Sequence, residues 1–163
     1  MGACVALLSA PAIASAPQPL TFFRYAGDAH ELQDALDCAI ARWRQATCLP
    51  IDISYAAAHL VRLKPADQMN GKAANTGGAS WNAARITIAD TFAQSPEWMC
   101  SLLMHEMRHV LARDNGHPGQ LGSFSYPTTG TGSKITTDDL ESVCEKQTCG
   151  CQVPETAGQP PTP

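Results

Sequence analysis

His105-Glu106-Met107-Arg108-His109 reads H-E-x-x-H. On an α-helix, residues four apart share a face, so both imidazoles reach one ion. Glu106 is offset by one position and stands beside that ion, where a base for an activated water is needed. The stretch carries its own helix signals. Ser95 is a good N-cap, Pro96 suits the first helical position, and Glu97 complements the positive helix end. From Trp98 to Arg113 there is neither Gly nor Pro. Cys100, Leu103 or Met104, Met107 and Leu111 recur at helical intervals and make a core-facing stripe, with His105 and His109 on another stripe beside Leu102. Two neutral nitrogen ligands, a nearby carboxylate and room for water point to zinc.

The rest of the composition is that of one globular domain. The chain has 163 residues, 44% of them hydrophobic, and a net charge of −4. That length supports a core, no basic patch suggests nucleic acid, and no apolar run is long enough to span a bilayer. Residues 1–19 read as a signal peptide, with apolar Val5-Ala6-Leu7-Leu8 and an A-x-A cleavage signal at Ala14-Ser15-Ala16. A secreted or periplasmic location follows. The sequence has seven cysteines. Loss of Cys4 with the signal leaves Cys38, Cys48, Cys100, Cys144, Cys149 and Cys151, an even set suited to disulfides in an oxidising compartment. Cys38 with Cys48 is the attractive local pair, and Cys149 and Cys151 are too close to join each other without strain. A second metal held by these cysteines lacks the paired C-x-x-C spacing such a site uses.

In chain order, aromatic-rich Leu20 to Tyr25 reads as a first strand. Asp28 and Glu31 have capping-box spacing, and Leu32, Ala35, Leu36, Ala39, Ile40 and Trp43 follow at helical intervals in a long helix ending near Thr47. His30 is expected in the exposed first turn. Pro50–Tyr55 and His59–Lys64 read as strands, with His59 a structural or surface histidine. Residues 65–80 read as loop, marked by Pro65, Asn70-Gly71 and Gly77-Gly78. Arg85–Ala89 alternates as a strand leading into the H-E-x-x-H helix.

Beyond that helix, Asn115-Gly116 accepts a left-handed turn that ends the helix and brings His117 back as a third protein ligand. Asp114 and Asn115 are the nearest alternatives. Thr136 and Asp139 have capping-box spacing at the start of a last helix, with Leu140, Val143 and Cys144 on its buried stripe. Residues 152–163, with four prolines, read as a disordered tail.

These residues resemble the zinc-binding region of the metzincin metallopeptidases, whose pattern is H-E-x-x-H-x-x-G-x-x-H. Gly122-Ser123-Phe124-Ser125-Tyr126-Pro127 is similar to that family's Met-turn, and Ile135 to Leu140 resembles the capped start of its last helix. Three departures stand out. Ala112 replaces the family's Gly, His117 comes two residues after the usual third-ligand position at Asn115, and Phe124 replaces the Met of the turn. The first two are mutually consistent, since a longer helix and later turn deliver the histidine later. The resemblance implies an α+β fold: a small metzincin-like zinc peptidase domain over residues 20–151. In it a mixed twisted sheet packs on a long first helix and an active-site helix, and a C-terminal helix follows. It also implies that Tyr126 stabilises the transition state or ligates zinc.

The combined expectation is an exported zinc endopeptidase. His105, His109 and His117 hold Zn2+, Glu106 is the general base, and Tyr126 assists. Its partners are a protein or peptide substrate and a proteinaceous inhibitor, with neither nucleic acid nor a membrane span, and the chain acts as a monomer. The rival readings are a zinc-containing protein-binding module whose catalysis has lapsed and a disulfide-stapled exported protein without metal.

Overall fold

A computed structural model describes residues 20–24, 28–78, 80–93, 95–116 and 134–151. The signal segment, the Met-turn-like stretch with Phe124 and Tyr126, His117 and the Pro-rich tail lie outside these residues. The elements are β1 (Leu20–Arg24), α1 (His30–Thr47), β2 (Ile51–Ile53), β3 (His59–Lys64), β4 (Ala74–Gly78), β5 (Ala84–Ala89), α2 (Pro96–Ala112) and α3 (Thr137–Lys146). The architecture is α+β. One five-stranded mixed sheet runs in the order β2-β1-β3-β5-β4. All neighbours are parallel except β4, which pairs antiparallel with β5 at the sheet's end. Parallel neighbours need a crossover, and α1 supplies the one between β1 and β2.

Residue alternation decides which face is covered. Registered partners Val61↔Ile86 and Leu63↔Ile88 lie on the same side, with Phe22, His59 and Ala84 continuing that side toward β1. Phe22, Val61, Ile86 and Ile88 are fully buried in one cluster with the apolar stripes of α1 and α2. The expected stripe of α1 is the buried one, Trp43 included. Trp43 also donates its indole N–H to the Met104 carbonyl at 3.2 Å, which ties α1 to α2 beside the H-E-x-x-H segment. Every residue of the expected α2 stripe is buried.

Several local expectations are corrected. Residues 65–80 are not all loop. A short 3-10 turn at Ala66–Met69 leads to β4, whose residues pair one by one with β5 from Ala74↔Ile88 to Gly78↔Ala84. Gly78 has φ 140°, and a Cβ there would lie 2.8 Å from the Ala83 carbonyl oxygen, so the tight return into β5 requires glycine. The N-cap of α1 is Ala29 without a side-chain cap, so Asp28 and Glu31 do not form the expected box. Ser95 is the N-cap of α2, with Pro96 in the first turn, but its side chain makes no cap hydrogen bond. At α3 the full reciprocal capping box of Thr136 and Asp139 is present.

The expected Cys38–Cys48 pair does not form. The disulfides are Cys38–Cys100, Cys48–Cys151 and Cys144–Cys149. Spacing favoured the local pair, but both cysteines lie on or just after α1, where Cys38 faces Cys100 of α2 and Cys48 faces the segment after α3. Among the described residues no helix is long and apolar enough to cross a membrane.

Candidate metal centre

α2 places the H-E-x-x-H side chains. His105 and His109 are one turn apart, and their Nε2 atoms lie 3.2 Å from each other. Two nitrogens bound to a tetrahedral zinc at roughly 2.0–2.1 Å are separated by about 3.3–3.4 Å. The pair therefore already has the span of one edge of such a site. The rings are nearly perpendicular, with an interplanar angle of 82°.

The tautomer of His109 follows from its other nitrogen. Nδ1 lies 2.9 Å from the Asp114 carbonyl oxygen. A carbonyl only accepts, so Nδ1 carries the proton and the Nε2 lone pair faces His105. A backbone carbonyl on the remote nitrogen is the usual outer support of a metal-bound histidine. The side chain of His109 is 6% exposed, so little solvent competes for that arrangement.

Glu106 is 5% exposed. It points toward β4, the terminal strand among the described residues, where the Thr76 hydroxyl donates to its Oε2 and approaches its backbone carbonyl. Burial pushes its carboxyl up to about 7, against the opposing pull of the Thr76 hydrogen bond and the positive charge of Lys72. The register explains the contact: Thr76 pairs with Ile86, whose side chain is on the helix-covered face. β4 is thus both the sheet's terminal strand and the strand that holds the candidate base.

The turn after α2 differs from the sequence reading. The helix ends at Ala112, and Arg113 takes the left-handed conformation with φ 56°. Neither Asn115 nor Gly116 has positive φ among the described backbone. The reversal therefore comes two residues before Asn115, and Ala112 does not carry the helix past it. A capping hydrogen bond from the Arg113 N–H to the His109 carbonyl fixes the break.

Asp114, the alternative third ligand, is committed elsewhere. Its Oδ1 accepts from Arg108 Nη1 at 3.0 Å and from the Gly116 N–H at 2.8 Å, and its Oδ2 accepts from Arg108 Nη2 at 3.4 Å. His117 and Tyr126 lie outside the described residues. Among the described residues no group of three or more His, Cys, Asp or Glu could hold a metal. The structure brings together His105 and His109, while Glu106, next to His105 on the same helix, turns its carboxylate to Thr76.

Arg108 is the residue that reading the motif missed. It occupies an unspecified position of H-E-x-x-H, yet it is 1% exposed. Its Nη1 also donates to the Gly116 carbonyl at 2.7 Å, and its Nη2 donates to the Ser142 hydroxyl at 2.5 Å. Its Nε faces Asp139 Oδ1 at 3.6 Å. One guanidinium thus clamps the turn at 114–116 to α3. A charged residue one position before His109, followed by acids at 114 and 139, was the available signal, but nothing in the spacing distinguished it from a solvated arginine.

His59 is buried on β3. Its ring lies against Phe22 with centroids 4.9 Å apart, and its Nδ1 accepts from the Ala84 N–H at 3.2 Å. Burial lowers its pKa. This is the structural role expected for it, in the core rather than at the surface. Compared with known proteins, the chain matches no family model and no curated protein.

Proposed function

We propose that the protein is an exported zinc endopeptidase of metzincin type. The observation that carries this reading is the 3.2 Å approach of His105 Nε2 and His109 Nε2 beside a buried glutamate on the same helix. The donor set fits zinc: two imidazole nitrogens at the right span, one with its tautomer fixed by a backbone carbonyl. His105 and His109 would hold the ion, with His117 as the third ligand. Zinc bound there would supply Lewis acidity and lower the pKa of water toward neutrality.

The chain's own groups do the rest. Glu106 takes the proton from the attacking water and returns it to the leaving amine nitrogen. Thr76 holds the carboxylate in place for that transfer. Tyr126 donates to the developing oxyanion. Among the described residues β4 is a terminal strand of the sheet, and an extended peptide adds to such an edge by main-chain hydrogen bonds. That would lay the scissile bond beside Glu106, since Thr76 links the strand to the base. Three disulfides agree with export to an oxidising compartment.

The test is metal content measured together with cleavage of casein. The wild-type chain purified without chelators is expected to carry about one zinc and to cleave. Glu106→Gln should keep the metal and lose activity by about 10²- to 10⁴-fold. Zinc without cleavage in the wild type leaves a metal-containing binding module. A Glu106→Gln protein as active as wild type removes the mechanism.

A further inference from the structure

On the sheet face turned away from α1 and α2, the register sets Arg62, Thr87 and Asn75 side by side across β3, β5 and β4. Lys64 follows on the same side of β3, and the segment from Gln68 to Lys72 folds over the row. Together they line a cavity of about 260 Å³. None of its described lining residues is acidic. Three cations converge here in a chain whose net charge is −4.

Among the described residues none of Arg62, Lys64 and Lys72 makes an ion pair or a side-chain hydrogen bond. Lys72 is felt by Glu106 through space without contacting it. The Nε of Arg62 is shielded from solvent and lacks an acceptor. Asp90, which follows Ala89 opposite Lys64, accepts from the Ala66 N–H at 3.2 Å instead. Like charges held close together without an ion-pair partner are costly, and a buried donor without an acceptor adds to that cost. An anion in the cavity relieves both. A guanidinium fork recognises an oxyanion bidentately, lysines add point charge, and the amides of Asn75 and Gln68 and the Thr87 hydroxyl supply neutral donors. The volume lies below that of a drug-sized ligand site, which limits the occupant to a small ion or one terminal group.

We propose that this cavity binds a tetrahedral oxyanion, sulfate or phosphate, either free or as the terminal ester of a larger molecule. The proposal rests on no part of the peptidase reading.

The test is titration of the full exported chain with sodium sulfate and sodium phosphate at constant ionic strength set with chloride. Thermal unfolding and amide NMR shifts are the readouts. Saturable stabilisation is expected, with shifts centred on residues 62, 64, 72, 75 and 87. Arg62→Gln should weaken binding at least about tenfold, the loss of one charge-assisted bidentate contact. Arg85→Gln removes the same charge from the same sheet face outside the cavity and should change affinity less than about twofold. Arg62→Gln should unfold no earlier than wild type in chloride alone, because among the described residues Arg62 has no ion-pair or hydrogen-bond partner to lose. Phenyl phosphate and phenyl sulfate distinguish the two sources: binding as tight as the inorganic ions assigns an ester group, and binding of the inorganic ions alone assigns the free anion. Equal weakening by the two arginine variants, or no saturation up to about 50 mM anion, overturns the proposal.

Discussion

Arg108 of α2 and Asp139 of α3 face each other at 3.6 Å, with side chains 2% and 0% exposed. Asp139 also accepts from the Thr136 N–H at 2.9 Å and the Thr136 hydroxyl at 2.7 Å, so the same carboxylate caps α3. Removing one partner of such a buried pair strands the other charge. Arg108→Met should therefore destabilise the fold by about 3–5 kcal/mol in urea unfolding. Arg108→Met combined with Asp139→Asn should cost less than the sum of the two single changes, because the stranded charge is gone and the amide oxygen can still serve the cap. Strict additivity would show that the pair is not coupled.

The sequence made the α2 helix legible, because its Ser95-Pro96 start, its apolar stripe and the His105/His109 spacing are all local. The capping box at Thr136 was legible for the same reason. β4 was not. Its residues, Ala74-Asn75-Thr76-Gly77-Gly78, have poor strand propensity, and they are extended because β5 pairs with them. The disulfides were not legible either, since sequence spacing says nothing about α1 and α2 facing each other at Cys38 and Cys100. The left-handed residue after α2 is Arg113 rather than the more permissive Asn115-Gly116, because the Arg108 network holds the segment that follows. Arg108 itself gave no sign of burial, since its partners are supplied by tertiary structure.

Metal removal should be visible as stability before it is visible as activity. If His105 and His109 hold zinc in the folded state and not in the unfolded chain, free zinc at about 1,000 times its dissociation constant stabilises by roughly 4 kcal/mol. EDTA should lower the unfolding midpoint of the wild type, and added zinc should restore it. His109→Ala should unfold at the same midpoint with and without zinc. A zinc-dependent midpoint that persists in that variant would place the metal elsewhere.

His59 sets a pH dependence of its own. Its folded-state pKa lies below the ordinary histidine value of about 6.5 because burial disfavours the charged ring. Above about 6.5 it is neutral in both states and contributes no pH dependence. As pH falls below that value the unfolded chain takes up a proton that the folded chain refuses, so stability is lost by up to about 1.4 kcal/mol per pH unit until the folded pKa is reached. His59→Asn keeps an acceptor for the Ala84 N–H and removes the titration. Urea unfolding at pH 7.5 and pH 5.0 should show a smaller acid-induced loss in the variant than in the wild type, and equal losses would clear His59 of the effect.

The three disulfides close chain segments of very different length, with sequence separations of 62 for Cys38–Cys100, 103 for Cys48–Cys151 and 5 for Cys144–Cys149. Constraint of the unfolded chain grows with that length. Replacing both Cys38 and Cys100 by Ala should cost about 4 kcal/mol, and the same change at Cys144 and Cys149 about 2 kcal/mol. The Cys48–Cys151 link has support that survives its loss, since the Gly150 N–H donates to the Thr47 carbonyl at 3.0 Å. The pairing itself can be read by tryptic mapping without reduction. Cleavage after Arg42, Arg44, Arg62, Arg85, Arg108 and Lys146 puts Cys38, Cys48, Cys100 and Cys144 on separate peptides and leaves Cys149 with Cys151. The Cys38 peptide should emerge joined to the Cys100 peptide alone. The Cys48 and Cys144 peptides should both emerge attached to the one that carries Cys149 and Cys151. A peptide joining Cys38 to Cys48 would restore the local pairing that spacing suggested and break the covalent tie between α1 and the helix carrying His105 and His109.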